Sequence, residues 1–165
     1  DNIPYDSKFV FEEIGYNFLP TEISAAFGLV QLKKLNKFAQ IRQKNFENLN
    51  SFFSNQRFFK LPKQLPQVKT SWLAFPLTIN SDAPFSRIEI VKHLESHGIQ
   101  TRPIFTGNVL RQPAFEKINY KNIGNDYDVA NNIMKNSFII GCNHGLNEKH
   151  LEKIKVVFKS FLDKF

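Results

Sequence analysis

Residues 21–56 read TEISAAFGLVQLKKLNKFAQIRQKNFENLNSFFSNQ, and this stretch decides the fold of the chain. No proline interrupts it before Pro62, and its apolar side chains recur at an average spacing near the helical period. The pattern predicts one long helix, or two helices with a bend, and a helix of this length usually connects two bodies. The apolar positions are Ile23, Phe27, Val30, Leu35, Phe38, Ile41, Phe46, Leu49 and Phe53.

The start of this helix is marked by Thr21 and Glu22. Threonine is a good N-cap, and a carboxylate in the first turn suits the positive end of the helix dipole. Residues 1–20 read as extended or irregular chain. Because the backbone before a helix start suits an anion, Asn17 either holds a ligand or belongs only to a well-made helix start.

Downstream of the long helix, the sequence alternates between strand and helix patterns. Pro76 inside the first strand indicates a sheet edge or a bulge. Ser86 and Gly98 mark the ends of the clearest short helix, whose apolar face we expect at Ile88, Val91 and Leu94. The order predicts an α/β fold with helices on one face of a short sheet. The predicted elements are strands at 71–79, 98–105 and 137–142, helices at 86–98, 129–136 and 147–165, and loops at 57–70, 107–115 and 119–128.

Composition narrows the class of protein. An apolar content of 42% over 165 residues favours a globular fold, and no apolar run is long enough for a membrane span. The net charge of +7 attracts anions, including nucleic acids and phosphorylated metabolites. The basic residues from Lys33 to Lys44 are spread along the helix, which favours a solvated face over a binding patch. A single cysteine and the lack of a signal peptide indicate a cytoplasmic protein.

The sequence does not match the common catalytic or metal-binding motifs. Cys142 follows an apolar strand and reads as a buried thiol. His93 and His97 have helical spacing, but Leu94 stands where the zinc motif requires glutamate, so we expect no metal site. The sequence contains no Gly-rich phosphate loop and no GxSxG nucleophile motif. We therefore assign no catalytic residue in this chain.

The strongest polar cluster lies in TRPIFTGNVLRQP, residues 101–113. Arg102, Asn108 and Arg111 follow one another at a strand end and in the next loop, and suit an anionic, hydroxyl-rich ligand. An ordinary polar loop explains the same residues equally well. Nucleic acid binding is disfavoured, because it requires exposed aromatic side chains between basic ones, whereas most phenylalanines here have core spacing.

Two blocks of the sequence resemble the DegT/DnrJ/EryC1/StrS family, whose members are pyridoxal-phosphate-dependent enzymes acting on nucleotide-linked sugars. The first is YDSKFVFEEIGYNFLPTEISAAFGLVQLKKL, residues 5–35, which departs from the usual family pattern at Leu19-Pro20 and Ser24. The second is GIQTRPIFTGNVLRQPAF, residues 98–115. This second block and the IGCNHGL segment at 140–146 are closer to the sugar 3-dehydrase branch than to the aminotransferases.

The resemblance implies the C-terminal part of a fold type I transferase. Residues 1–56 would be the end of the large domain plus the long connecting helix, and residues 57–165 the small C-terminal α/β domain. The cofactor is pyridoxal or pyridoxamine 5′-phosphate. The lysine or histidine position that separates aminotransferases from 3-dehydrases would lie upstream, so this chain alone is expected to be inactive.

The resemblance also implies roles for particular residues and partners. Asn17 corresponds to the asparagine that reaches the cofactor phosphate of the partner subunit in a homodimer with shared active sites. Arg102, Asn108 and Arg111 are the candidates for binding the nucleotide sugar. The activity implied is removal of the carbon-3 hydroxyl from a CDP- or GDP-linked 4-keto-6-deoxy sugar for a polysaccharide such as O-antigen, with glutamate as the amino donor. Aminotransfer within the same family, or a stand-alone basic module for nucleic acid or another anion, are the alternatives.

Overall fold

The computed structural model describes residues 16, 18–115, 117–121 and 127–165. The chain divides into two compact units, Asp1–Leu35 and Asn36–Phe165, and the division falls inside the first helix. The domain boundary predicted at residue 56 stays a prediction.

Helix α1 runs from Glu22 to Phe53 as one element of 32 residues. Thr21 caps its start, because the Thr21 hydroxyl oxygen accepts a hydrogen bond from the backbone N–H of Ser24 at 3.3 Å. The Thr21 carbonyl accepts the first helical bond, from the N–H of Ala25 at 3.1 Å. The predicted long helix and its cap are therefore confirmed.

A four-stranded antiparallel sheet forms the framework of the second unit, with strand order β1-β2-β4-β3. The two-residue strand β1 lies inside the stretch predicted as a loop, and the hydrophobic pattern is too short to reveal it. The strands are β1 (Phe59–Lys60), β2 (Ala74–Ile79), β3 (Thr101–Pro103) and β4 (Ser137–Gly141); the helices are α2 (Arg87–Ser96), α3 (Asp128–Asn136) and α4 (Glu148–Leu162). Short 3-10 turns occur at Val109–Arg111 and Pro113–Phe115.

Pro76 sits in a strand that has neighbours on both sides, which the sequence did not predict. β2 pairs with β4 along its length, and Pro76 lies opposite Ile139. On its other side, β2 pairs with β1 only at Thr78 and Ile79, so this side carries no ladder at Pro76 in the described part of the chain. The proline thus occupies a locally open position within an interior strand, where a missing N–H costs no ladder hydrogen bond.

One face of the sheet carries the core of the second unit. Phe53 of α1 is fully buried, and its ring centroid lies 4.8 Å from Phe158 of α4 and 5.4 Å from Phe75 of β2. Phe138 and Ile140 of β4 complete the apolar face. Edge-to-face and stacked aromatic pairs of this kind contribute beyond the area they bury. The predicted arrangement of helices over one face of a short sheet is confirmed for the two helices that these contacts place there, α1 and α4.

Helix α2 begins and ends as the sequence predicted, but its buried face differs. Ser86 and Glu89 form a reciprocal capping box at the start. At the end, Gly98 has φ +75°, and the N–H of Ile99 donates to the carbonyl of Leu94 at 2.9 Å, which closes a Schellman motif. The expectation for Ile88 is wrong, because its side chain is 58% exposed. The buried face is formed by Ile90 and Leu94, with Val91 partly buried beside them.

His93 of α2 lies against α4. Its Nε2 is 3.2 Å from the carbonyl oxygen of Val157 and 3.2 Å from the hydroxyl oxygen of Ser160. Burial lowers the pKa of the His93 imidazole, and the nearby charges of His97 and Lys164 lower it further, although the hydrogen bond to Val157 opposes the shift. The folded state therefore favours the neutral imidazole.

We expect the stability of the fold to fall as pH is lowered below about 6.5, the usual pKa of an unfolded histidine. The folded-state pKa of His93 is depressed, so the contribution of its neutral form is present above the unfolded value and is lost as pH falls through the folded value. Urea unfolding at neutral and mildly acidic pH measures this. His93→Gln should reduce the loss of stability on acidification, and an equal loss in variant and wild type would contradict the assignment.

Candidate functional site

The segment 104–112 follows β3 and forms a tight turn on α3. The N–H of Gly107 donates to the carbonyl of Ile104 at 2.9 Å, and Gly107 has φ +65°. A Cβ at Gly107 would overlap Cβ of Met134, so this position requires glycine on steric grounds as well. Phe105, with φ +44°, also has the left-handed conformation, and its side chain is 95% exposed. The turn therefore has a specific conformation, held against α3.

Asn108 is the buried anchor of this turn. Its side-chain oxygen accepts a hydrogen bond from the N–H of Leu110 at 3.0 Å and caps the short 3-10 turn. Its amide nitrogen donates to Oδ1 of Asn131 at 2.8 Å. With 5% of its surface exposed, Asn108 uses both ends of its carboxamide to fix the backbone of the turn to α3.

Arg111 contacts the same asparagine. Its Nε donates to Oδ1 of Asn131 at 3.3 Å, and its side chain is otherwise exposed. The ion pairs found among the described residues, Lys44 with Glu148 and Lys155 with Glu152, do not involve it. The guanidinium is thus held at one nitrogen by a neutral partner and keeps its positive charge, which suits an anionic ligand.

Arg102 has different neighbours. It is exposed on β3, opposite Ile139 of β4, and its Nη1 donates to the carbonyl of Thr101 at 3.1 Å. Together with residues at the end of α2, Arg102 lines a shallow, open depression on the surface. Of the three residues predicted in this segment, Asn108 and Arg111 share Asn131 as a hydrogen-bond acceptor, whereas Arg102 donates to its neighbour Thr101.

Asn131 is the member of the cluster that the sequence did not reveal. It lies in the segment VANNIMKN, where Asn131 and Asn132 look alike as polar residues of a short helix. Only the packing of the turn on α3 distinguishes them, because Asn132 instead accepts a hydrogen bond from Asn136 at 2.7 Å. No sequence signal pairs residue 108 with residue 131.

Asn17, the residue predicted to contact a cofactor, lies outside the described residues. The two aromatic residues beside it, Tyr16 and Phe18, are exposed, and their rings stack with centroids 5.5 Å apart. The helix that follows begins at Glu22. The role of Asn17 therefore stays a prediction from the sequence.

The other candidate groups among the described residues do not form a reactive centre. Cys142 is fully buried, and burial raises the pKa of its thiol to about 12, so the thiolate that a nucleophile requires is disfavoured. This confirms the prediction of a buried thiol. Across the described ranges, no group of three or more His, Cys, Asp or Glu side chains is placed to hold a metal ion. None of the helices in the described part of the chain has the length and apolar character needed to cross a membrane.

Comparison with known proteins shows which family and which enzymes the chain resembles. The sequence profile of the DegT/DnrJ/EryC1/StrS aminotransferase family matches residues 2–159. The chain is 34% identical to the lipopolysaccharide biosynthesis protein RfbH of Salmonella typhimurium, over 95% of this chain and 36% of that protein. It is also 34% identical to the GDP-4-keto-6-deoxy-D-mannose 3-dehydratase of Yersinia pseudotuberculosis, over 94% of this chain and 38% of that protein.

A solved structure gives the corresponding match in three dimensions. It is a GDP-4-keto-6-deoxymannose-3-dehydratase with a trapped adduct of pyridoxal phosphate and glutamate, and it superposes with a TM-score of 0.79 at 32% identity. The match covers 91% of this chain and 38% of the solved one. The chain therefore spans under two-fifths of the length of these relatives. Since the profile matches nearly the whole sequence and the fold agrees, the chain belongs to the DegT/DnrJ/EryC1/StrS aminotransferase family, as its two sequence blocks predicted.

Proposed function

We propose that this chain is the C-terminal part of a pyridoxal-phosphate-dependent enzyme that removes the carbon-3 hydroxyl from a nucleotide-linked 4-keto-6-deoxy sugar. The observation that carries the proposal is the similarity, over 94% of the chain, to a GDP-4-keto-6-deoxy-D-mannose 3-dehydratase. The likeness to a lipopolysaccharide biosynthesis protein supports a role in making a surface polysaccharide. Aminotransfer to the sugar is the second candidate, because the family as a whole carries the name of aminotransferases.

The exposed apolar side chains of α1 support the idea that a larger body covers this helix. Ile23 and Phe27 lie on one side and are 85% and 66% exposed, while Leu29 and Leu32 on the opposite side are also exposed. A helix that is apolar around its circumference is normally buried on all sides. We propose that the large domain and the partner subunit of a homodimer provide this cover in a cytoplasmic enzyme.

The cluster on α3 supports binding of the nucleotide sugar. Arg111 has no ion pair with the described residues and can offer its guanidinium to the diphosphate, and Arg102, on the strand before the turn, is a second cation. Asn108 belongs to the proposed site through the turn that it fixes, since its carboxamide is already engaged.

The cofactor would supply an electron sink for the bond-breaking step at the sugar. We propose that Asn17 donates from its amide to the cofactor phosphate of the partner subunit, and that the lysine or histidine position of the family lies upstream of these residues. The chemistry of an amide donor before a helix start fits a phosphate. Leu19, where many members have arginine, cannot add a second contact. The glutamate adduct in the solved relative supports glutamate as the amino donor.

Product analysis tests the proposed reaction. The full-length enzyme is incubated with GDP-4-keto-6-deoxymannose, pyridoxal phosphate and glutamate, and the sugar is identified by mass spectrometry and NMR. A product that lacks the carbon-3 oxygen is expected. An aminated sugar that keeps this oxygen would favour the aminotransferase alternative. Salt-dependent binding of generic oligonucleotides, with no response to nucleotide sugars, would favour a basic binding module instead.

Asn17→Ala in the full-length enzyme should weaken retention of the cofactor, because one donor to the phosphate is removed. The dissociation constant for pyridoxal phosphate, followed by absorbance during dialysis, is the measurement. Asn55→Ala is the matched control, since Asn55 is exposed just beyond the end of α1. If the two variants retain the cofactor equally well, Asn17 has no role at the phosphate.

Arg111→Ala should raise the KM for the nucleotide sugar by roughly tenfold to a hundredfold, which is the range for one charge-assisted hydrogen bond. Steady-state kinetics of the full-length enzyme check this. Arg57→Ala serves as the control, because Arg57 lies outside the turn and over the ring of Phe58. An effect of Arg111→Ala on thermal stability alone would identify a structural arginine.

A further inference from the structure

The side chain of Asn131 is the point at which the turn, the arginine and α3 meet. Its Oδ1 accepts from Nδ2 of Asn108 at 2.8 Å and from Nε of Arg111 at 3.3 Å. We propose that Asn131 is a positioning residue, which orients the Arg111 guanidinium toward the substrate diphosphate while leaving its positive charge unpaired. This inference rests on the proposed function and assigns to it a residue of α3.

Helix α3 holds Asn131 in a fixed position. Met134, one turn after Asn131, is packed so closely on Gly107 that a Cβ there would overlap it. α3 ends at Asn136, and β4 begins at Ser137 without an intervening loop. Asn131 is thereby fixed with respect to the sheet, and the side chains bound to its oxygen are fixed with it.

The neutrality of Asn131 is the decisive chemical property. A carboxylate at the same place would accept the same two hydrogen bonds and would also neutralise the guanidinium. Asp128 lies one turn earlier on α3, yet the ion pairs found within the described ranges do not join it to Arg111. An amide oxygen thus holds the arginine in place without competing with an anionic ligand for its charge.

A purely structural role for Asn131 makes a different prediction about a carboxylate. If the residue only ties the turn to α3, Asn131→Asp, which keeps both acceptor contacts, should change GDP affinity equally with and without the Arg111 side chain. If it positions a charge for a ligand, the same substitution should weaken ligand binding even though the fold is retained. Asn131→Asp therefore separates the two roles.

The test uses the full-length enzyme with GDP as the probe and isothermal titration calorimetry as the readout. Asn131→Asp should raise the Kd for GDP about tenfold. The KM for the nucleotide sugar should rise with it while kcat changes little, because the residue does not touch the reacting atoms. Asn132→Asp adds the same charge one residue along α3, away from this cluster, and should bind GDP like wild type.

A double-mutant cycle shows whether the effect passes through Arg111. In an Arg111→Ala background, Asn131→Asp should cause no further loss of GDP affinity. Wild-type affinity for GDP in the folded Asn131→Asp variant would overturn the inference. The inference would also fail if Asn131→Asp reduced GDP affinity as much in the Arg111→Ala background as in wild type, or if Asn132→Asp reduced it as much as Asn131→Asp. If Asn131→Asp lowers the melting temperature, the double-mutant cycle still tests the inference, because it compares the change in GDP affinity with and without the Arg111 side chain. Failure of the wild-type enzyme to bind either GDP or CDP would overturn the proposed function itself.

Discussion

The antiparallel pairing of β4 with both β2 and β3 is the interaction on which the position of the candidate site depends. β4 lies between its two neighbours, with Phe138 and Ile140 buried in the aromatic core on one face. Because α3 runs directly into this strand, the register of β4 also sets the position of α3. The hydroxyls of Thr78 and Ser137, 2.8 Å apart, mark the junction. α3 in turn receives the turn that follows β3, so the core, the sheet and the cluster around Asn131 form one chain of contacts.

Much of this framework could be predicted from the sequence, because local signals determine it. Thr21 and the uninterrupted apolar pattern define α1. Ser86 and Gly98 bound α2 through a capping box and a Schellman motif, both of which need only neighbouring residues. The buried thiol of Cys142 follows from the apolar strand before it. The family could be predicted as well, since two long blocks carried the resemblance.

The features that the sequence left open depend on contacts between distant residues. β1 is two residues long, and only its pairing with β2 makes it a strand. The buried face of α2 shifts from Ile88 to Ile90 because of what the helix packs against, a property that spacing alone does not determine. In the candidate site, Arg102, Asn108 and Arg111 appeared equivalent as polar residues of one segment. Asn131, which accepts hydrogen bonds from both Asn108 and Arg111, lies in α3, 20 residues after Arg111 in the sequence.

We propose that Arg111, held through its Nε, presents its remaining nitrogens to the diphosphate of a nucleotide sugar. A crystal structure of the full-length enzyme with GDP bound would show this contact. We expect a terminal nitrogen of Arg111 at about 2.7–3.2 Å from a phosphate oxygen, with the bond from its Nε to Asn131 still present. A diphosphate bound elsewhere, or an Arg111 side chain that has left Asn131 to reach it, would show that Arg111 does not act in this way.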